Sequence, residues 1–374
     1  MEKLTFTRFV AAFAVVLTHF GRDIPFIDDL PWSHFLRQGS FMVSYFFVLS
    51  GFIMAAVYWD LDSRADRRAY WIARLARIYP VYLFALVFMM LLDTENGPRP
   101  LISFALNASL LQAWFPTYVM TGNPPGWSLS TEAFFYLVFP FCVPLLRAMP
   151  GLWRPLAAII AVWLASQVGY HAGRQFLEVH HVEVVHNALH YVPLLHLNSF
   201  LAGIAANLVL RRGSWRNSRD AGQSSQAGTA FALIVTSFAL ILAALWVLGR
   251  GLYVAGAFVS AANGLLAPLF ALFIGALAVD RSRWTRWLAW APLVALGEMS
   301  YAVYILQDPV REVVYRLGTG PWPMTDVPLF YTYLATLVAL SAVVWRWYEQ
   351  PMRRYLRVRL GAPGRARAAR AAVV

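Results

Sequence analysis

Arg8 and His19 lie in one apolar segment, TFTRFVAAFAVVLTHF, where an ionisable side chain is costly and needs a reason. If the segment is helical, the eleven residue steps between them make three turns plus roughly 20°, so both side chains share a face about 16 Å apart along the axis. One end of that face carries a permanent cation and the other an imidazole. Imidazole accepts a proton near neutral pH, as a general base must when a hydroxyl attacks an activated acyl group. Each residue also has a plainer reading when taken singly, with Arg8 snorkelling to headgroups at one interface and His19 capping the other.

Two further groups invite chemistry. In RRAYWIARLARIYPVY, Arg74 and Arg77 share a helix face and form a fork suited to an anionic cofactor such as a nucleotide phosphate. Ordinary positively charged anchoring explains the neighbouring Arg64, Arg67 and Arg68 equally well. In GWSLSTEAFFYLVFPF, Glu132 falls at about the depth inferred for His19, where a carboxylate can orient an imidazole as the third member of a triad does. Ser128, Ser130 and Glu132 are also residues that satisfy free amides at a helix start.

Six of the eight histidines lie between His171 and His196, but only Glu178 and Glu183 accompany them and no cysteine does, so no metal site is assigned there. Contact with an acceptor is the better use for these histidines and for aromatic side chains such as Trp127, although tryptophan and tyrosine also serve as interface anchors.

The elements that must position these groups follow from composition. The 374 residues are 59% hydrophobic and only 13% charged, too apolar for an ordinary soluble protein. A bilayer core of roughly 30 Å needs about 20 apolar residues per helix. Segments of that kind fall near 4–21, 40–59, 71–93, 127–146, 154–170, 189–210, 228–248, 252–279, 288–307 and 327–346. The expectation is an all-α, polytopic integral membrane protein of about ten transmembrane helices. A further stretch, 101–115, is short and follows Pro98 and Pro100, which suits a re-entrant or interfacial segment.

The formal charge of +12 lies almost wholly in short segments between apolar runs, which points to membrane topology and away from nucleic acid. Placing both termini in the cytoplasm puts 24 of the 31 basic residues on that side and leaves seven outside. The N-terminus lacks a clear small-residue cleavage site and reads as a retained first helix. Residues 1–354 then form the membrane domain, and 355–374 a basic, disordered cytoplasmic tail able to touch anionic lipid. Cys142 has no partner cysteine and says nothing about redox compartment.

Six stretches carry a resemblance. RFVAAFAVVLTHF, SYFFVLSGFIM, RLARIYP, WSLSTEAFFYLVFP, LGEMSYAVYIL and YEQPMRR occur in the order seen in acyltransferase family 3, between Thr5 and Arg354. The resemblance implies a bacterial inner-membrane O-acyltransferase that takes an acyl group, most simply acetyl, from acyl-CoA and places it on a hydroxyl of a surface glycan or lipid-linked glycoside. It implies that Arg8 and His19 are the functional pair of the first helix, that Glu132 is the acid of the Trp-Ser-Leu motif, and that Arg74 and Arg77 serve the donor. No tightly bound cofactor is expected, acyl-CoA being a co-substrate, and a polysaccharide-assembly protein is a possible partner. One departure is YILQDPV, where Gln307 stands in the place many members give to histidine; Gln307 and Asp308 are assigned to substrate contact. The rival from another class is a transporter or flippase for a glycan or lipid-linked precursor, which would also place Arg8, His19 and Glu132 in a water-lined cavity.

Overall fold

Helices fall on all ten apolar segments. The computed structural model describes residues 2–21, 24, 40–92, 99–180, 182–213, 223–250, 252–254, 257–319 and 325–360. The elements are α1 (Glu2–Phe20), α2 (Ser40–Val57), α3 (Arg64–Leu92), α4 (Pro100–Ala108), α5 (Gly126–Ala148), α6 (Trp153–His180), α7 (Glu183–Tyr191), α8 (Pro193–Arg212), α9 (Gln223–Gly249), α10 (Ala267–Val279), α11 (Ala291–Gly318), α12 (Asp326–Val344) and α13 (Gln350–Arg359), the last two joined by a π-helical turn, Trp345–Glu349. Among the described residues, seven spans are long and apolar enough to cross a bilayer: α1, α3, α5, α6, the run α7–α8, α9 and the run α12–α13. An eighth is α11 with the preceding 3-10 turn Arg283–Ala289, bent by 56°, while α2 and α10 are shorter apolar helices. The chain is a polytopic membrane protein of all-α architecture.

Three expectations change in detail. The segment 252–279 is helical only from Ala267; before it lie a two-residue antiparallel pair, Tyr253–Val254 with Ala257–Phe258, and turns. Its glycine-rich opening and Pro268 disfavour a continuous helix. The ninth span does not stop at 307 but runs through Pro309 to Gly318. The stretch 101–115 becomes the nine-residue α4 and a 3-10 turn at Gln112–Trp114, far too short to cross. Of the tail expected to be disordered at 355–374, residues 355–359 are helical as the end of α13, and residues 361–374 lie outside the described residues.

Two backbone crossings set the geometry of the site. A Cβ on Gly51 of α2 would fall 1.9 Å from the Phe200 carbonyl oxygen, and one on Gly203 of α8 would fall 1.9 Å from that of Val48. Only glycine lets these two helices approach so closely, and the approach fixes Ser50 on the neighbouring face of α2. On α11, Gly297 does the same against the Thr5 carbonyl, at 2.0 Å, so α1 and α11 lie in direct contact. The SGF and LGEMS stretches therefore owe their glycines to packing. Between the crossings, Phe135 of α5 stacks on Phe200 at 4.7 Å and meets Phe47 edge-on at 5.1 Å, filling the centre of the bundle.

The ends of the spans are tied by cations. The Arg212 guanidinium donates to the carbonyls of Met149 at 2.9 Å, Gly151 at 2.7 Å and Arg147 at 3.0 Å, which caps the end of α5. Lys3, the sole lysine, reaches Asp280 and Thr285 at 2.8 and 2.7 Å and pins the start of α1. Burial raises the Asp280 carboxyl, but bonds from Lys3, Thr285 and Ser282 outweigh it and hold the group below the usual carboxylate value. Arg68 of α3 reaches the Leu360 carbonyl at 3.5 Å, so the start of α1, the start of α3 and the end of α13 share one face of the bundle. His19 lies at the other end of α1.

Candidate active site

The predicted residues form two centres rather than one. Near the terminal face, α1, α2, α3, α5 and α11 enclose a cavity of about 90 Å³ whose polar lining includes Arg8, Ser50, Arg74, Arg77, Glu132 and Tyr136. The Glu132 Oε1 accepts from the Ser50 hydroxyl at 3.1 Å and from the Tyr136 hydroxyl at 2.5 Å. Arg74 is buried, 4% exposed, and donates to the Tyr58 hydroxyl at 3.0 Å, with its guanidinium 5.0 Å from the Tyr58 ring centre and 6.0 Å from that of Tyr136. Its Nε has no hydrogen-bond partner among the described residues. Arg77, one turn on, lines this cavity and a second one on the terminal side.

His19 does not line the inner cavity. Glu132, expected beside the imidazole, instead shares its cavity with Arg8. The cause is helix register: α5 begins at Gly126, so Glu132 lies about 9 Å inside the span, while His19 is in the last turn of α1, about 16 Å beyond Arg8.

The second centre is built by α11. Gln307 donates its Nε2 to the Tyr304 carbonyl at 2.7 Å, which turns its Oε1 toward His19 Nδ1, 3.1 Å away. An amide oxygen only accepts, so Nδ1 carries the hydrogen, and an imidazole with that one proton has its lone pair on Nε2. Gln307, expected at the substrate, is thus fully buried, 0% exposed, and spends its amide on orienting the imidazole. His19 itself is exposed. Asp308 follows on the same helix, and the Arg311 guanidinium one turn later covers the rings of Phe20, at 5.0 Å, and Tyr315, at 4.7 Å. Gln307→Ala is expected to lower turnover about tenfold, the worth of roughly one hydrogen bond, by freeing the ring to adopt the wrong tautomer or rotamer. A steady-state assay showing a change in acceptor KM alone would return Gln307 to substrate contact.

The two centres meet at Tyr304. This residue lines the inner cavity, bonds Ser128 through its hydroxyl at 2.8 Å, and gives its carbonyl to Gln307. Trp127 is half-buried within 5.0 Å of the Tyr191 ring and 5.3 Å of the His196 ring, and 6.2 Å from the ring of Phe47, which lines the inner cavity. His171, His190 and His196 each bond a backbone carbonyl, of Gln167, His186 and His190, at 2.8, 2.8 and 2.9 Å. Those bonds describe helix packing more than ligand capture.

The second cavity, of about 290 Å³, opens on the terminal side and is lined by Thr5, Arg8, Arg77, Glu298, Trp345, Glu349, Gln350, Arg353, Arg354 and Arg357. It shares Arg8 and Arg77 with the inner cavity. Ser50, Tyr136, Tyr304 and Glu349 fall inside the stretches that carry the resemblance, but their residue type and spacing do not separate them from packing residues there, and Arg353, Arg354 and Arg357 read as topology anchors.

A family model described as an acyltransferase domain, Acyl_transf_3, matches residues 1–346. The chain belongs to acyltransferase family 3. A relative, "Acyltransferase MdmB" of Streptomyces mycarofaciens, is 31% identical over 382 residues, covering 95% of this chain and 92% of its own length. No solved structure matches the chain. The chemistry that family membership assigns is acyl transfer within a multi-pass membrane protein. The family match ends at Arg346, inside the π-helical turn, so YEQPMRR, the last of the six stretches that carry the resemblance, lies beyond the matched residues.

Proposed function

We propose that this acyltransferase moves a short acyl group, acetyl in the simplest case, from acyl-CoA to a hydroxyl of a surface glycan or lipid-linked glycoside in a bacterial inner membrane. The observation that carries the reading is the single helix α1, with His19 held in its basic tautomer at one end and Arg8 in an arginine-lined cavity at the other. The terminal face is taken as cytoplasmic, where CoA is made, and His19 as the site that meets exported acceptor.

In this scheme the thioester reaches His19 along the Arg8 face of α1, and His19 Nε2 removes the proton of the acceptor hydroxyl as its oxygen attacks the thioester carbonyl. The tetrahedral intermediate collapses by breaking the carbon–sulfur bond, and the imidazolium returns the proton to the departing thiolate. The products are an ester and free CoA.

Sealed vesicles of known orientation test the arrangement. Labelled acetyl-CoA supplied at the terminal face should be consumed, and the same donor at the His19 face should not. Equal use from both faces would refute the two-sided scheme, and no use from either would refute the donor.

A further inference from the structure

We propose that the cavity formed by the π-helical turn and α13 is the seat of the donor's phosphorylated nucleotide end, with Arg353 and Arg357 as its anion-binding residues. This rests on acyl-CoA being the donor, but the seat itself is argued from the cavity.

Its lining sets five guanidinium groups, of Arg8, Arg77, Arg353, Arg354 and Arg357, against two carboxylates, of Glu298 and Glu349. Within the lining, positive charge exceeds negative by three, five less two. A site of that balance in partly desolvated surroundings is suited to an anion of several charges, and planar guanidinium forks match phosphate oxygens pair by pair. Lipid anchoring alone does not require such a cavity, since surface arginines serve that end without converging.

Local structure explains how the residues converge. The run from Asp326 to Arg359 is one helix of 34 residues, about 51 Å long against a bilayer core of roughly 30 Å, so α13 stands beyond the hydrocarbon. The π-helical turn lies between the apolar α12 and this polar extension. A π turn inserts a residue and rotates the helix beyond it, and such turns recur where a side chain must be re-aimed. Here it brings Glu349 and, one turn on, Arg353 to the same cavity wall. Glu349 is 6% exposed, and its Oε2 has no hydrogen-bond partner among the described residues. A buried acceptor of that kind is costly unless a ligand supplies an O–H or N–H, as a ribose hydroxyl does.

The position fits the path of the donor. The cavity shares Arg8 and Arg77 with the inner cavity, so phosphates held by Arg353 and Arg357 leave the pantetheine arm directed along α1 toward His19. At about 290 Å³ the cavity is too small for a whole acyl-CoA and admits its phosphates with the base at the mouth.

The test uses the full chain in nanodiscs of zwitterionic lipid, with and without added anionic lipid. Acetyl-CoA is compared with a short acetyl thioester that lacks the nucleotide. In the wild type, adenosine 3′,5′-bisphosphate should compete with acetyl-CoA and not with the short donor. Arg353→Gln and Arg357→Gln should each reduce the preference in kcat/KM for acetyl-CoA over the short donor by about 10- to 100-fold, the worth of a charged hydrogen bond. Arg353→Lys should recover part of it. An unchanged preference, in a wild type that uses acetyl-CoA, overturns the seat and leaves the donor reading standing. Equal losses for both donors would assign these arginines to folding and overturn it too. If anionic lipid abolishes competition by the bisphosphate and the variants lose lipid binding instead, the cavity is a headgroup site and the seat is overturned. A wild type that never consumes acetyl-CoA would overturn donor and seat together.

Discussion

His19→Ala should lower acyl transfer by about 10²- to 10⁴-fold while the protein inserts and extracts from membranes as the wild type does, because a general base contributes rate in that range. The side chain is exposed in the last turn of α1, so truncating it leaves no internal cavity. His19→Gln should be as inactive. Its amide can still meet Gln307, but it has no basic lone pair to offer at the position of Nε2. Retention of more than about a tenth of wild-type activity in either variant would contradict a general-base role, given the usual size of that contribution. A labelled acyl group trapped on His19 in the wild type would show that the nitrogen attacks the thioester itself and passes the group on.

Much of this arrangement was legible from residue types. The spans were readable because bilayer thickness imposes one length on every crossing helix, whatever its neighbours. That logic failed at 252–266, where the apolar residues include glycines and the chain turns, because apolarity marks depth in the bilayer and does not by itself mark a helix. Spacing within a single helix also carried information: Arg8 and His19 sit where a straight α1 puts them. Relations between helices did not. Sequence gives the depth of Glu132 only as a distance to a span end; that end falls where expected, at Gly126, but the distance does not say which side chains of other helices lie at the same level. Gln307 could be found only as a departure from a pattern. Its purpose appears once the Tyr304 carbonyl is seen to fix the direction of its amide. The arginines of α13 were visible as a basic run, but charge near a span end has the same signature whether it anchors a helix or lines a cavity.

Arg8→Leu should lower kcat/KM for the acyl-CoA donor by about 10- to 100-fold, the worth of a charged hydrogen bond to a bound donor. Which constant carries the loss decides where the chemistry happens. Arg8 lines both cavities, so any donor threaded from the terminal face toward His19 passes its guanidinium. It lies about 16 Å from His19 along α1, whereas stabilising an oxyanion needs a donor about 3 Å away. Arg8 therefore has no contact with an intermediate formed at His19, and the loss should appear in the donor KM, with kcat at saturating donor falling far less. Arg8→Lys should recover part of the affinity, since charge is kept and the fork is lost. Stability needs a separate reading, because removing Arg8 leaves Glu132 and Glu349 in cavities with less opposing charge. Glu132→Gln added to Arg8→Leu should then raise the melting temperature of the single variant without returning donor affinity. A collapse of kcat at unchanged donor KM, together with a mild His19→Ala, would instead place the reacting carbonyl in the inner cavity, against Arg8, Ser50 and Glu132.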